Sequence, residues 1–426
     1  MRAPRDVVIT GWGRQGHGRT AETPPRFLPG TIPGETVQFR GGSGPAFDVI
    51  DASAHRVQPV CKHFDPCGGC ELQHTDEHLQ ADFKEAQITS ALRAVGLEVT
   101  LRPLVQAFGA GRRRAGFSAH WRGGRLALGF VASGAGEIID LSMCPVLTPT
   151  LEAFVPALRA CLEAAGEEAW GKRFGVFVTE TETGIDLDLT TKAPLEGTQS
   201  ALERLAHLAA SLDLARVSVG GEVGAQRRSP VVRIDETPVR LPPRAFLQPT
   251  AAGEAALQRL VADALHEAAP KRVIDLFSGC GTFALVAARR ASVTARDGDG
   301  ALIKALQVAQ TNGSEPRRRP IAAAMQDLYR RPMPATELSQ SDVIILNPPR
   351  QGAKRQVQQI GMSQARRLIY VACEPVSFAR DAALLIGAGF TLGAVTPVDQ
   401  FRWAPHVELV ATFNRPRAKR RAGLLD

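Results

Sequence analysis

The sequence predicts an α/β protein: an open, Rossmann-like sheet in the C-terminal part, behind a small β-barrel and a mixed α+β middle. Three observations carry that prediction. From about residue 253 to 413, apolar strands alternate with amphipathic helices, the pattern of a largely parallel sheet flanked by helices. Residues 1–58 instead read as short apolar runs (VVITGWG, FLPGTIPGETVQF, AFDVIDAS) cut by glycine and proline, as in a small barrel. Between these regions lie a cysteine cluster, CKHFDPCGGC, and further strand-like runs such as LALGFV, FGVFVTE and GIDLDLT. The 426 residues are too many for one core. The expected division is 1–58, 59–240, 241–414 and a basic tail, 415–426.

Composition narrows the function classes. Apolar residues make up 44% and charged residues 22%, as in soluble globular chains. The N-terminus has no apolar run of signal-peptide length. The most apolar segment, AALLIGAGFTLGAVTPV, is broken by glycines, threonines and a proline, so no membrane span is expected. Seven cysteines, clustered once and otherwise scattered, do not form a disulfide framework, and a reducing, cytoplasmic setting is expected. Net charge is +8, with arginine runs at 112–114, 227–228, 317–319 and 415–421. Such runs suit a polyanion such as RNA, or equally a solvated surface. No obligate protein partner is implied.

Taken in order, residues 77–95 have helical spacing at Leu79, Phe83, Ile88 and Leu92, with Gly96 as a stop. A second helix is expected near 151–165 and a third over AAGEAALQRLVADALHEAA. In VIDLFSGCGTFAL a strand over Val273–Phe277 runs into a turn holding Gly279 and Gly281, then a helix. Glycines there let backbone approach a ligand at the strand's carboxyl end. Asp297 ends the next strand, VTARD, placed to bind ribose hydroxyls. A dinucleotide fingerprint would need a third glycine, where Ala284 stands. S-adenosylmethionine, which has no phosphate, fits this loop better than NAD.

Three further segments fall at strand ends. DVIILNPPRQGA ends a buried strand in a rigid two-proline loop. In LIYVACEPVSFARD, Cys373 ends another strand beside a helix start expected at Ser377, a setting that can lower a thiol's pKa and make it a nucleophile. In FRWAPHVELVATF, His406 and Glu408 are expected on one face of a strand, with Glu408 a possible base or a surface carboxylate. GRRRAGFSAHWRGGR joins Arg112, Arg113 and Arg114 to Phe117 and Trp121; the aromatics read as strand core, the arginines as candidate RNA contacts.

Taken together, PGTIPGE, HRVQPVC, CGGCELQH, FLQP, the glycine loop, NPPR, CEPVSFARD and HVELV resemble the RNA uracil-5-methyltransferase family. Its cluster-containing bacterial branch, acting on 23S ribosomal RNA, is the part resembled, over residues 7 to 413. The resemblance implies a TRAM-like RNA-binding barrel at the N-terminus. It implies cofactor contacts from Gln248, Phe277, Gly279, Thr282, Asp297, Asp327 and Asn347, with Cys373 as nucleophile and Glu408 as base. The sequence departs from the family pattern at Asn347 (usually aspartate), Glu374 (usually asparagine) and Thr282 (usually asparagine). Transfer RNA is an alternative substrate, and NPPR leaves an amino-directed methyltransferase as another alternative.

Cys61, Cys67 and Cys70 have five and then two residues between them, and Cys144-Pro145 lies far downstream. Zinc ribbons offer two close pairs, and here there is one C-x-x-C. Three clustered cysteines and a remote Cys-Pro suit a [4Fe–4S] cluster. The expected role is a brace between residues 61–70 and Cys144, outside the methyl-transfer chemistry; Cys161 and Cys280 read as structural.

Overall fold

The structure is a computed structural model that describes residues 5–40, 46–132, 136–191, 199–312 and 318–416. Arg317 and residues 417–426, which hold most of the expected basic tail, lie outside these.

The N-terminal strands, Asp6–Trp12, Gly18–Thr20, Phe27–Leu28, Thr36–Phe39 and Phe47–Asp51, form one antiparallel sheet. The first strand pairs with Thr36–Phe39 through residues 6–8 and with Gly18–Thr20 through residues 9–12. Sharing one strand between two partners along its length curls the sheet into a half-barrel of OB-like type around Val7, Ile9, Leu28 and Val37.

The middle of the chain folds on a seven-stranded sheet ordered Glu222–Gln226, Arg216–Val219, Gly184–Thr190, Arg173–Thr181, Arg114–Arg122, Arg125–Val131, Ile138–Asp140. Helix Pro149–Ala165 covers it; Thr148 caps that helix by accepting from the Leu151 backbone N–H, and Pro149 suits the first turn because no N–H is needed there. Phe117 and Trp121 are core residues of this unit, as their spacing predicted.

The C-terminal sheet has eight strands: Ile321–Met325, Ser292–Asp297, Arg272–Leu276, Val343–Leu346, Arg367–Ala372, Glu408–Asn414, Thr391–Asp399 and Val105–Gln106. The first five are mutually parallel. Glu408–Asn414 runs antiparallel to both its neighbours. The chain enters at the central strand Arg272–Leu276, winds outward to one side, then returns to Val343–Leu346 on the other. That reversal opens a crevice at the carboxyl ends of the two central strands. The Rossmann-like methyltransferase architecture is therefore present.

Packing does not follow chain order. Helix Glu77–Arg93 buries Ile88 and Leu92 against the C-terminal sheet, beside Leu368, Phe378 and Val395. The hairpin Val231–Ile234/Thr237–Arg240 packs on the sheet's other face with helix Ala251–Ala268. The strand Val105–Gln106 had no sequence signal, because two residues carry no periodicity.

Two local expectations are corrected. The helix after Cys373 begins at Pro375, not Ser377, with Glu374 as its cap accepting from the Val376 N–H. The last strand begins at Glu408, so His406 stands in the approach to it and shares no strand face.

Candidate active site

The crevice is a cleft of about 780 Å³. Gln248, Phe277, Gly279, Thr282, Asp297, Asp327, Asn347, Cys373 and Glu408 all line it, so every cofactor and catalytic residue expected from the sequence converges there.

The cofactor end is shaped by backbone. Gly281 has φ +103°, and a Cβ there would run into Leu306 and Leu285, so only glycine fits between the loop and its helix. Phe277, a non-glycine residue at φ +60°, turns the chain out of its strand into the loop. Asp297 straps the loop in place: Oδ2 accepts from the Gly279 N–H at 2.8 Å and Oδ1 from the Asp299 N–H at 2.8 Å. Burial pushes its carboxyl up, and these backbone donors oppose that shift. Asp327 turns the chain after Ile321–Met325, accepting from the Tyr329 N–H at 3.1 Å and the Arg330 N–H at 3.0 Å. Tyr329 then packs on Phe277, ring centroids 5.3 Å apart.

At the opposite end, Cys373 follows strand Arg367–Ala372 and Glu408 opens the neighbouring strand. Burial pushes the Cys373 thiol up to about 12; the Glu408 charge adds to this, while Arg350 of the NPPR turn opposes it. The sequence led us to expect a lowered thiol pKa, and the structure reverses that direction. The helix at Pro375 is close by, but burial and the facing carboxylate outweigh it. Glu408 is itself raised to about 7 by burial, against a hydrogen bond from Gln400 and the charge of Arg350. A carboxyl at that value exists in both protonation states near neutrality, as a proton-accepting group requires.

The arginine triplet divides. Arg112 and Arg114 line the cleft. The Arg114 guanidinium lies 5.1 Å from the Phe177 ring centroid and 5.0 Å from that of Phe246, and donates to the Leu247 carbonyl at 2.8 Å. Burial, with Arg112 and Arg113 adding, brings its pKa down to about 10. Arg113 drops out of the expected RNA contacts, because its buried side chain is committed to Glu254 at 2.9 Å and the Gln248 carbonyl at 3.2 Å. Other runs are spent internally too: Arg228 on Asp213 and the Thr183 carbonyl, Arg415 on the carbonyls of Ser363, Gly361 and Ala388. Tyr329, Arg350 and Phe401 also line the cleft and were not singled out from the sequence as site residues.

Cys61, Cys67, Cys70 and Cys144 lie near enough to act on one another. Cys70 is raised by burial first, then by the charges of Cys144, Cys67 and Cys61. Burial takes Cys144 up to about 12, with Cys61 and Cys67 adding. His63 ties the two segments, its Nε2 accepting from the Ser142 N–H at 3.1 Å. Among the described residues, no three His, Cys, Asp or Glu side chains converge closely enough to hold a single metal ion.

A Rossmann-like sheet with a glycine loop at its switch point, and a thiol and a carboxyl lining the same cleft, is the arrangement expected of a methyltransferase. The methyltransferase small domain family matches residues 256–373. A Caulobacter vibrioides protein named as an uncharacterized RNA methyltransferase is 39% identical, over 96% of this chain and 100% of its own length. The 23S rRNA (uracil(1939)-C(5))-methyltransferase RlmD of Vibrio vulnificus is 31% identical, over 92% and 91%. Among solved structures, the Pyrococcus abyssi tRNA (uracil-54, C5)-methyltransferase in complex with S-adenosyl-L-homocysteine shares the fold. Its TM-score is 0.74 and its identity 22%, over 96% of this chain and 99% of that one. The chain belongs to the RNA uracil-5-methyltransferase family, and it is an RNA methyltransferase.

Proposed function

We propose that this enzyme transfers a methyl group from S-adenosylmethionine to C5 of a uridine in RNA, and that the RNA is 23S ribosomal RNA. The observation that carries the reading is the single cleft in which a glycine-loop donor site meets Cys373 and Glu408. A binding protein without chemistry has no use for a thiol and a carboxyl set face to face.

C5 of uracil is too weak a nucleophile to take a methyl group unaided. Addition of the Cys373 thiolate to C6 makes an enolate, and its C5 attacks the sulfonium methyl. Glu408 removes the C5 proton, and the C6–S bond breaks as the ring double bond returns. Burial and Glu408 disfavour the thiolate and the positive charge of Arg350 favours it, so the thiol gives its proton to solvent before the sulfur adds to C6. The uridine must leave its stack to enter the cleft, so a loop or single strand is the expected target. Arg112 and Arg114 at the cleft, and the N-terminal TRAM-like half-barrel, are the proposed RNA-facing elements. The activity for which the Vibrio vulnificus relative is named supports ribosomal RNA, and the departure at Asn347 keeps a side chain that can both donate and accept a hydrogen bond.

The donor set of Cys61, Cys67, Cys70 and Cys144 fits a [4Fe–4S] cluster. Beyond burial, Cys70 is raised by the charges of the other three, so the four belong to one site of all-sulfur donors, the ligand set such a cluster takes. Bound there, the cluster would supply a covalent tie between the two segments.

The test is to incubate the protein with ribosomal RNA, or transfer RNA, and labelled S-adenosylmethionine, and to identify the modified nucleoside. We expect 5-methyluridine in 23S RNA. Methylation of an exocyclic amine, or none in either RNA, overturns the reading; 5-methyluridine in transfer RNA alone replaces the substrate. Iron and sulfide analysis of anaerobically purified protein tests the cysteine assignment, and stoichiometric zinc refutes it.

A further inference from the structure

Gln400 lies between the two ends of the catalytic apparatus. Only 1% exposed, it follows the end of strand Thr391–Asp399, and its amide nitrogen donates to Gln248 Oε1 at 2.7 Å and to Glu408 Oε1 at 3.2 Å. One amide group therefore spans a residue of the FLQP segment and the carboxylate expected to act as base. Space for it is made by Gly253, where a Cβ would collide with the Gln400 amide.

The backbone that carries Gln400 is clasped from outside the C-terminal sheet. Lys84, fully buried, donates to Asp399 Oδ2 at 2.5 Å and to the Phe401 carbonyl at 2.9 Å. The Leu72 N–H donates to the Trp403 carbonyl at 2.9 Å, and the Gln87 side chain donates to the Pro405 carbonyl. Alternate carbonyls of the segment leading into Glu408 are thus held by residues that follow the Cys61–Cys70 cluster in sequence. A segment fixed at three points presents its side chains with little freedom.

We propose that Gln400 is a positioning residue, holding Glu408 in the orientation from which it removes the C5 proton and linking that orientation to Gln248. The proposal rests on the reading of Glu408 as the base. Gln400 acts through Glu408: its donated N–H stabilises the carboxylate form and fixes which carboxylate oxygen faces the cleft. The titratable and charged groups facing Glu408 are Cys373 and Arg350. The amide N–H of Gln400 is the neutral donor among its neighbours, so its removal leaves the surrounding charges unchanged.

The experiment measures three quantities for the wild type, Gln400→Leu, Gln400→Glu and Glu408→Gln: the covalent protein–RNA adduct on denaturing gels, the pH profile of product release, and the Kd for S-adenosylmethionine. For Gln400→Leu we expect slower release by about tenfold, from loss of one hydrogen bond to a charged group, with adduct accumulating. The limb of the profile that rises with pH should move to higher pH, because an N–H that favoured the carboxylate is gone. Gln400→Glu keeps the size of the side chain and should move that limb further, since a second carboxylate disfavours ionisation; it serves where leucine disturbs folding. Donor affinity reads the link to Gln248, and should fall in both variants by less than the effect on release. Release at the wild-type rate with an unmoved pH limb in the Gln400 variants, beside a trapped adduct in Glu408→Gln, overturns this proposal alone. Normal release by Glu408→Gln removes the base assignment, and the role of Gln400 with it.

Discussion

At the glycine-loop end of the cleft, Phe277, Gly279, Thr282 and Asp297 come from one stretch of chain, and the loop is held by the Asp297 carboxylate from within that stretch. At the other end, Cys373, the Gln400–Glu408 segment and Gln248 come from three separate parts of the chain, and the segment is held by Leu72, Lys84 and Gln87, which follow the cysteine cluster in sequence. The first end is a local device that any sheet of this topology can carry. The second is an assembled device, whose geometry depends on residues that contact neither RNA nor methyl donor. Disruption should therefore separate the two ends: donor binding should survive changes that abolish turnover, and the reverse should also hold.

The largest effect is expected from Cys373→Ala, which should abolish methyl transfer while equilibrium dialysis still shows S-adenosylmethionine bound; retained turnover would remove Cys373 from the chemistry. Next, Glu408→Gln should let the methyl group pass and trap the RNA covalently, read as a slow-migrating band that survives denaturation. Lys84→Met strands the buried Asp399 carboxylate and should cost about 3–5 kcal/mol in denaturant unfolding. Replacing Lys84 and Asp399 together with apolar residues should recover part of that loss, whereas a double variant worse than the single would show that the pair contributes more than mutual neutralisation. The smallest expected effect is at the local end. Asp297→Asn keeps the size of the strap but replaces one of its two acceptors with a donor, and should loosen donor binding by about tenfold without trapping any adduct.

The same contrast explains what could be read from the sequence. Helix 77–93, the glycine loop, the two-proline turn and the position of Cys373 at a strand end all follow from periodicity and from glycine and proline at fixed offsets. Those signals are local, as are the structures they specify. Tyr329 and Phe401 at the cleft, and Gln400 behind it, have no such signal, because their places depend on strand order, and a glutamine after a strand looks like any loop residue. Arg113 misled for a related reason. Its neighbours Arg112 and Arg114 do reach the cleft, and only the packing of Glu254 on the next helix shows that the middle arginine is internal. The direction of the Cys373 shift was missed because helix proximity is legible in sequence and the depth of burial is not.

The strand Val105–Gln106, which lies along the outer edge of the C-terminal sheet beside Thr391–Asp399, has one more consequence. Its partner is synthesised far later in the chain, so these residues, like helix Glu77–Arg93, must wait through all the intervening sequence before they have anything to pair with. A fragment beginning at residue 241 would leave Thr391–Asp399 as a long bare edge and expose the surface that Ile88 and Leu92 cover. Such an edge invites pairing with other chains. Removal of the N-terminal half should therefore yield an aggregating polypeptide in place of a minimal methyltransferase, and the catalytic half has a folding template in the part of the chain made first.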